Sequence, residues 1–250
     1  MIPDNALEVR GLCKSYELFS IENVSFDVPV GCITGFIGPN GAGKTTTIRI
    51  IMDMTLKDAG SVRLFRQEKV VERNTDIGVV MDVPFYNDDW TVRDIERGIA
   101  PFYPHWDSTT FSGYLGQFGI LQKKKVKELS RGMKVKLQIA VALSHGARML
   151  MLDEPTSGLD PVARDEVCYL LPEFASGKGK AVMFSTHITS DLEKVADRIV
   201  FILNGGIVCA GDKDALLGNY VLVTGSPDDV DVECSRMIIG YRCQGPRSRA

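Results

Sequence analysis

Residues 38 to 45 read Gly-Pro-Asn-Gly-Ala-Gly-Lys-Thr, and no other stretch of the chain constrains its fold so tightly. The octet satisfies the G-x-x-x-x-G-K-[ST] pattern of a phosphate-binding loop, in which backbone N–H groups wrap anionic oxygens. Such a loop needs a strand entering it and a helix leaving it. Cys32 to Ile37 (CITGFI) reads as the strand, and Lys44 to Met52 (KTTTIRIIM) carries Ile48, Ile51 and Met52 at helical spacing. Glycine at 38, 41 and 43 permits positive φ and a close approach of backbone to phosphate, while the helix N-terminus adds partial positive charge. Lys44 is expected to reach the β- and γ-phosphates and Thr45 to ligate magnesium. The octet therefore implies a site for a nucleoside triphosphate.

A second motif narrows the chemistry. Met149 to Asp160 reads MLMLDEPTSGLD, a hydrophobic run that ends in two adjacent carboxylates. Apolar residues at 149 to 152 suit a central parallel strand buried on both faces, whose carboxyl end carries ligand chemistry. Asp153 is then placed for the magnesium shell, and Glu154 to orient or deprotonate an attacking water. Between the two motifs lies Leu129-Ser130-Arg131-Gly132-Met133, followed by Lys134 to Leu143 at helical spacing. Ser130 reads as the N-cap; the exposed N–H groups of a helix start can form a second anion site, although by themselves these residues read as an ordinary capped helix.

In this combination the chain resembles the ATP-binding subunits of ABC transporters. Their signature loop, commonly LSGGQ, occupies the place of Leu129 to Met133, and Ser-Gly-Leu-Asp at 157 to 160 matches their D-loop. His187, in FSTH after the apolar strand Ala181 to Phe184, matches their switch histidine, and Tyr16 their adenine-stacking aromatic, with Phe19 a nearby competitor. The resemblance covers roughly residues 5 to 217. It implies ATP and Mg2+ as cofactors, Glu154 and His187 as catalytic residues, and Thr45, Asp82 and Asp153 at the metal. It further implies nucleotide contacts from Tyr16, Gly38, Asn40, Gly41, Gly43, Lys44, Thr45 and Thr46, and from Ser130, Gly132 and Asp160 across a pair of subunits. The implied partners are a transmembrane permease and a second ATP-binding subunit, either an identical copy or a related cassette. The implied location is the cytoplasmic face of the cell membrane. A soluble ABC-type ATPase outside transport is the alternative, although such relatives carry coiled-coil insertions, iron–sulfur segments or tandem cassettes that this chain lacks.

Two positions depart from the family pattern. After the strand Ile77 to Val80, Asp82 stands where a glutamine ligand is usual; a carboxylate is shorter and charged, and still able to ligate magnesium directly or through water. The signature has Arg131 and Met133 where Gly and Gln are commonest. The LSRGM form is similar to exporter-like branches.

Composition agrees. With 250 residues, 44% hydrophobic and 24% charged, the chain can bury a sizeable core, and a net charge of -3 gives no nucleic-acid footprint. The lysines at 123 to 125 read as a solvated linker. Six cysteines form no C-x-x-C pair, which speaks against a zinc site or disulfide framework. No stretch reaches the roughly 18 to 20 apolar residues of a membrane helix, and the N-terminus does not read as a signal peptide, so a pore must come from another chain.

The fold class expected is α/β: a P-loop NTPase (RecA-like) core with an antiparallel β subdomain and an inserted helical subdomain bearing the signature. Residues 5 to 217 form the cassette. Its helical part spans about 83 to 146, with helices at Thr91 to Phe102 and Ser108 to Phe118 before the signature helix, and breaks at Pro84, Pro101 and Pro104. From Arg148 α/β alternation resumes, with a hairpin at Asn204-Gly205-Gly206 and a helix over Asp212 to Leu217. Residues 218 to 250 form a short extension with no assigned function, with strands expected at Tyr220 to Thr224 and Met237 to Tyr241.

Overall fold

The computed structural model describes residues 4–68 and 75–218. Strands β1 (Asn5–Ser15), β2 (Ser20–Pro29), β4 (Ala59–Leu64) and the short β5 (Gln67–Glu68) form an antiparallel sheet in the order β2-β1-β4-β5. In β2 the buried Val24, Phe26 and Val28 alternate with exposed or half-buried Ser25 and Asp27, the pattern of a strand with one face in a core. The second sheet contains β3 (Ile33–Ile37), β6 (Ile77–Val80), β7 (Met149–Asp153), β8 (Ala181–Thr186), β9 (Arg198–Leu203) and β10 (Gly206–Asp212), ordered β10-β9-β3-β8-β7-β6. All its neighbours pair in parallel except β10, which closes a hairpin onto β9. Every residue of β7 and β8 is buried. Continuous apolar runs are required there because these strands are covered on both faces.

Helix α1 (Lys44–Ile51) follows the phosphate loop and puts Ile48 and Ile51 into the core between the two sheets, where the rings of Phe26 and Phe36 stack at 5.2 Å. On the other face of the parallel sheet, α5 (Pro161–Ala175) and α6 (Thr189–Val195) cover Leu150, Leu152, Val182 and Phe184. A third core is helical. It joins Val92 and Ile95 of α2 (Val92–Ile99) to Phe111 and Leu115 of α3 (Ser108–Gln117). The signature helix α4 (Arg131–Leu143) belongs to two cores at once. Val135, Ile139 and Ala142 face the parallel sheet, whereas Leu137, Ala140 and Val141 face α2 and α3. A helix apolar all round is one buried all round.

Local signals account for the boundaries. Thr91 and Asp94 close a reciprocal capping box at the start of α2, and Asp107 caps α3 by accepting from Thr109 and Thr110. The helix expected over Thr91 to Phe102 splits at Ile99 into α2 and a 3-10 turn over Ala100–Phe102, because Pro101 cannot donate to the α ladder. The lysine run is not a loose linker: Val92 N donates to Lys124 O and Arg93 N to Gln122 O, each at 3.0 Å. The expected terminal helix is α7 (Lys213–Gly218), capped by Asp212. The strands expected beyond it lie outside the described residues.

One buried polar side chain joins α4 to the sheet. Gln138, only 4% exposed, accepts from Met81 N and donates to Met81 O, both at 3.0 Å. It thereby supplies both backbone partners of the residue that leaves β6. Gln138→Leu is expected to destabilise the chain by about 2–6 kcal/mol, since each of two buried backbone groups left unpaired costs about 1–3 kcal/mol. Urea unfolding checks this; a loss below about 1 kcal/mol would show that water or another group replaces the amide.

Candidate active site

The parallel order β3-β8-β7 brings three strand ends together, and the site is built on them. Ile37 pairs with Thr186, and Asp153 with Ser185, so the phosphate loop, the two carboxylates and His187 share one edge of the sheet. The loop itself is braced from below. A methyl group on Gly38 would lie 2.4 Å from the carbonyl of Ile202, and Gly43, at φ 111°, is the N-cap of α1 with Ile21 and Phe19 close against it. Only glycine fits at either position. The β9–β10 hairpin adds a hydrogen bond from Gly205 N to Ala42 O at 3.1 Å. Asn40 and Gly41 form the exposed crest of the loop, and Thr45 and Thr46 are half-buried in the first turn of α1.

Lys44 is buried, and its ammonium donates to the carbonyls of Gly38 at 2.7 Å and Pro39 at 3.2 Å. A third contact is an ion pair: Glu154 Oε1 lies 3.1 Å from Lys44 Nζ. That oxygen is buried and has no hydrogen-bond partner, because the ion pair lacks hydrogen-bond geometry. The other oxygen, Oε2, sits 2.8 Å from His187 Nδ1. With the carboxylate as acceptor, the proton on this ring belongs on Nδ1. Glu154 also has φ 50°, a left-handed conformation that non-glycine residues seldom adopt, held by its N–H to the carbonyl of Ser185 at 2.9 Å. The turn that presents His187 is closed by Ile188 N donating to Thr186 Oγ1 at 3.0 Å.

Asp153 is 2% exposed and accepts from Thr45 Oγ1 and Ser185 Oγ, both at 2.9 Å. Burial raises its pKa above the ordinary carboxylate value, against the lowering effect of those two hydroxyls. A desolvated carboxylate joined to the loop threonine suits a magnesium ion. Among the described residues no group of three or more His, Cys, Asp or Glu could hold a metal. Magnesium bound through one or two protein oxygens, with phosphates and waters completing the shell, is compatible with that scarcity.

The remaining expected residues are distributed less uniformly. Tyr16 is 49% exposed on the β1–β2 loop and shares a cleft with Gly41 and Asn204 beside the phosphate loop. Phe19, its competitor, is partly buried against the core beneath Gly43. Ser130 caps α4 by accepting from Met133 N, and Gly132 faces Ala163 of α5. Asp160 caps α5 by accepting from Ala163 N at 3.0 Å. Asp82 has a partner that the sequence did not indicate. Its carboxylate pairs with Arg131 at 2.5 Å, and no hydrogen bond or ion pair joins it to Thr45 or Asp153.

Ser185 and Gln138 were missed by sequence reasoning. Ser185 stands two residues before His187, near the end of the strand that leads to it, so it shares the strand end that the histidine marks. Gln138 is the one amide inside the apolar run KVKLQIAVAL, where a buried polar side chain needs partners.

Comparison with known proteins shows the family to which the chain belongs. The ABC transporter family model matches residues 21–157. A lantibiotic transport ATP-binding protein of Streptococcus pyogenes is 34% identical over 211 residues, covering 83% of this chain and 91% of that protein. A Nod factor export ATP-binding protein of Paraburkholderia xenovorans (strain LB400) is 32% identical over 243 residues, 88% of this chain and 75% of that protein. A solved ATP-binding subunit of an ABC transporter superposes with a TM-score of 0.78 at 27% identity, over 92% of this chain and 99% of that one.

The raised pKa of Asp153 gives a stability test. A folded-state pKa above the unfolded value means that the folded chain binds the proton more tightly, so this group lowers stability as pH rises from the unfolded pKa through the folded one. In nucleotide-free buffer with chelator, Asp153→Asn is expected to raise the melting temperature at neutral pH. The gain should fade towards about pH 4, where unfolded aspartate takes up its proton. Thermal unfolding across that range checks the sign; an Asn variant less stable at pH 7 would contradict it.

Proposed function

Since the chain belongs to the ABC transporter family, as an ATP-binding and ATP-hydrolysing subunit, we propose that it works as one half of a pair that closes on ATP at a membrane permease. The observation that carries this reading is the Lys44–Glu154–His187 cluster at the edge that also holds Asp153. A phosphate-binding lysine, a carboxylate whose buried Oε1 is held by the ion pair to that lysine alone, and a histidine fixed on Oε2 are the parts of a hydrolytic site.

Each residue then has a task. The N–H groups of the loop from Gly38 to Thr46 cradle the phosphates, and the aromatic face of Tyr16 takes the base. Lys44 turns from the carbonyls of Gly38 and Pro39 to the β- and γ-phosphates, an exchange of neutral acceptors for anionic ones. Thr45 and Asp153 would hold magnesium, whose chemistry is to neutralise the charge on the phosphate oxygens. Glu154 accepts a proton from the attacking water, while His187 Nδ1–H holds Oε2 so that Oε1 remains the acceptor. Ser130 and Gly132, with the exposed N–H groups of α4, supply the second anion site, which faces the triphosphate of the partner subunit. Two ATP molecules then join the pair, and loss of the γ-phosphate reopens it.

No helix among the described residues is long and apolar enough to cross a membrane. We place the chain on the cytoplasmic face of a membrane whose pore is a separate permease. Val83 and Phe85, 70% and 69% exposed in the segment that follows Asp82, offer apolar contact area to such a partner. The relative named for Nod factor export and the LSRGM signature favour an exporter-type system.

Glu154→Gln is expected to lower ATP turnover by about a hundredfold or more, in line with general-base contributions, while ATP binding persists. Steady-state hydrolysis and equilibrium nucleotide binding check the two halves, and near-wild-type turnover would remove Glu154 from the proposed role. Recovery of the tagged chain from native membranes should bring down one multi-spanning membrane protein. Recovery with soluble partners alone would remove it from transport.

A further inference from the structure

We infer that Asp82 is a positioning residue that aims Arg131 across the pairing interface, so that the signature loop presents a fixed guanidinium to the triphosphate held by a second copy. The inference rests on the pairing reading above and deepens it.

Arg131 is the first residue of α4, where a cation sits against the positive end of the helix dipole and needs compensation. Asp82 supplies it at 2.5 Å. Asp82 follows a residue whose backbone is held, because Gln138, two turns along the same helix face, clamps both backbone groups of Met81. On its other side the guanidinium lies against a bare α-carbon: a methyl group on Gly158 would be 2.9 Å from Arg131 Nη1 and 3.1 Å from Cζ. Gly158 belongs to the loop between Glu154 and Asp160 and has φ 67°. A long, flexible side chain is thus held between the exit of β6 and the loop after β7, both of which lead to the catalytic edge.

Holding it uses little of its binding capacity. Of the five N–H donors of a guanidinium, one bonds to Asp82, and no other bonds to protein among the described residues. The side chain is 51% exposed. Its neighbours Ser130 and Gly132 are the residues expected to meet the phosphate. Arg131 can therefore keep Asp82 and still give a fork of donors to a phosphate oxygen, with its rotamer freedom already spent. An exposed ion pair of this kind adds little stability by itself. Its effect is to order the cation before the partner arrives.

The test uses the full chain in the Glu154→Gln background, with ATP-dependent dimerisation followed by sedimentation. Asp82→Ala is expected to raise the protein concentration for half-dimerisation about three- to tenfold, the range for one side chain that must be ordered on association. The nucleotide affinity of the monomer, measured without magnesium, should stay unchanged. The double variant Asp82→Arg with Arg131→Asp recreates the ion pair in reverse. It should keep the thermal stability of the parent chain yet fail to dimerise, because a carboxylate now faces the triphosphate. Four results overturn the inference: dimerisation unchanged or tightened in Asp82→Ala, dimerisation restored by the reversed pair, loss of ATP affinity in the Asp82→Ala monomer, or no ATP-dependent dimer in Glu154→Gln alone. The last also removes the pairing reading; the first three leave it standing.

Discussion

The carboxylate of Asp153 accepts one hydroxyl on each oxygen, from Thr45 and from Ser185, both at 2.9 Å in a buried setting. Those two bonds connect the phosphate loop after β3, the end of β7 and the end of β8. All three strands are adjacent and parallel, so their carboxyl ends necessarily open on the same side. A slip of one residue between β7 and β8 would turn Asp153 to the other face and take Glu154 away from Lys44. The apolar runs of these strands hold the register. The buried charge works against stability, as the raised pKa of Asp153 indicates, and sets a cost that cation binding can offset.

Glu154 shows a related tension. Its backbone occupies a left-handed conformation, and its carboxylate is divided between Lys44 and His187. Strain of this kind persists where the surroundings over-determine it, here through the bond from Glu154 N to Ser185 O. The α4 helix extends the arrangement outward. Because it contributes to both the sheet core and the helical core, a displacement of its signature end has a packed route to the exit of β6 through Gln138.

Much of this was legible in the sequence. The phosphate loop, the Asp153–Glu154 pair and the Ser130 cap are short motifs whose chemistry requires particular residue types at fixed spacing, and strand and helix signals around them agreed. His187 and Tyr16 were identified by resemblance, and the structure puts His187 on Glu154 and Tyr16 beside the loop. What stayed hidden depends on pairs distant in sequence. Nothing local says that Asp82 meets Arg131 across 49 residues, or that Gln138 meets Met81 across 57. The split of the expected helix at Pro101 was a matter of degree: proline marked the break, but not that a 3-10 turn would follow.

The central claim is that one chain's site is completed by the signature loop of another. The most direct measurement is the specific ATPase activity of the purified chain as a function of its own concentration. The account requires specific activity to rise with protein concentration and level off as the pair saturates, by mass action. It also requires ATP dependence steeper than hyperbolic, with a Hill coefficient approaching about 2 for two coupled sites. A specific activity that stays constant on dilution, with hyperbolic dependence on ATP, would show that a single chain hydrolyses ATP unaided and would contradict the account.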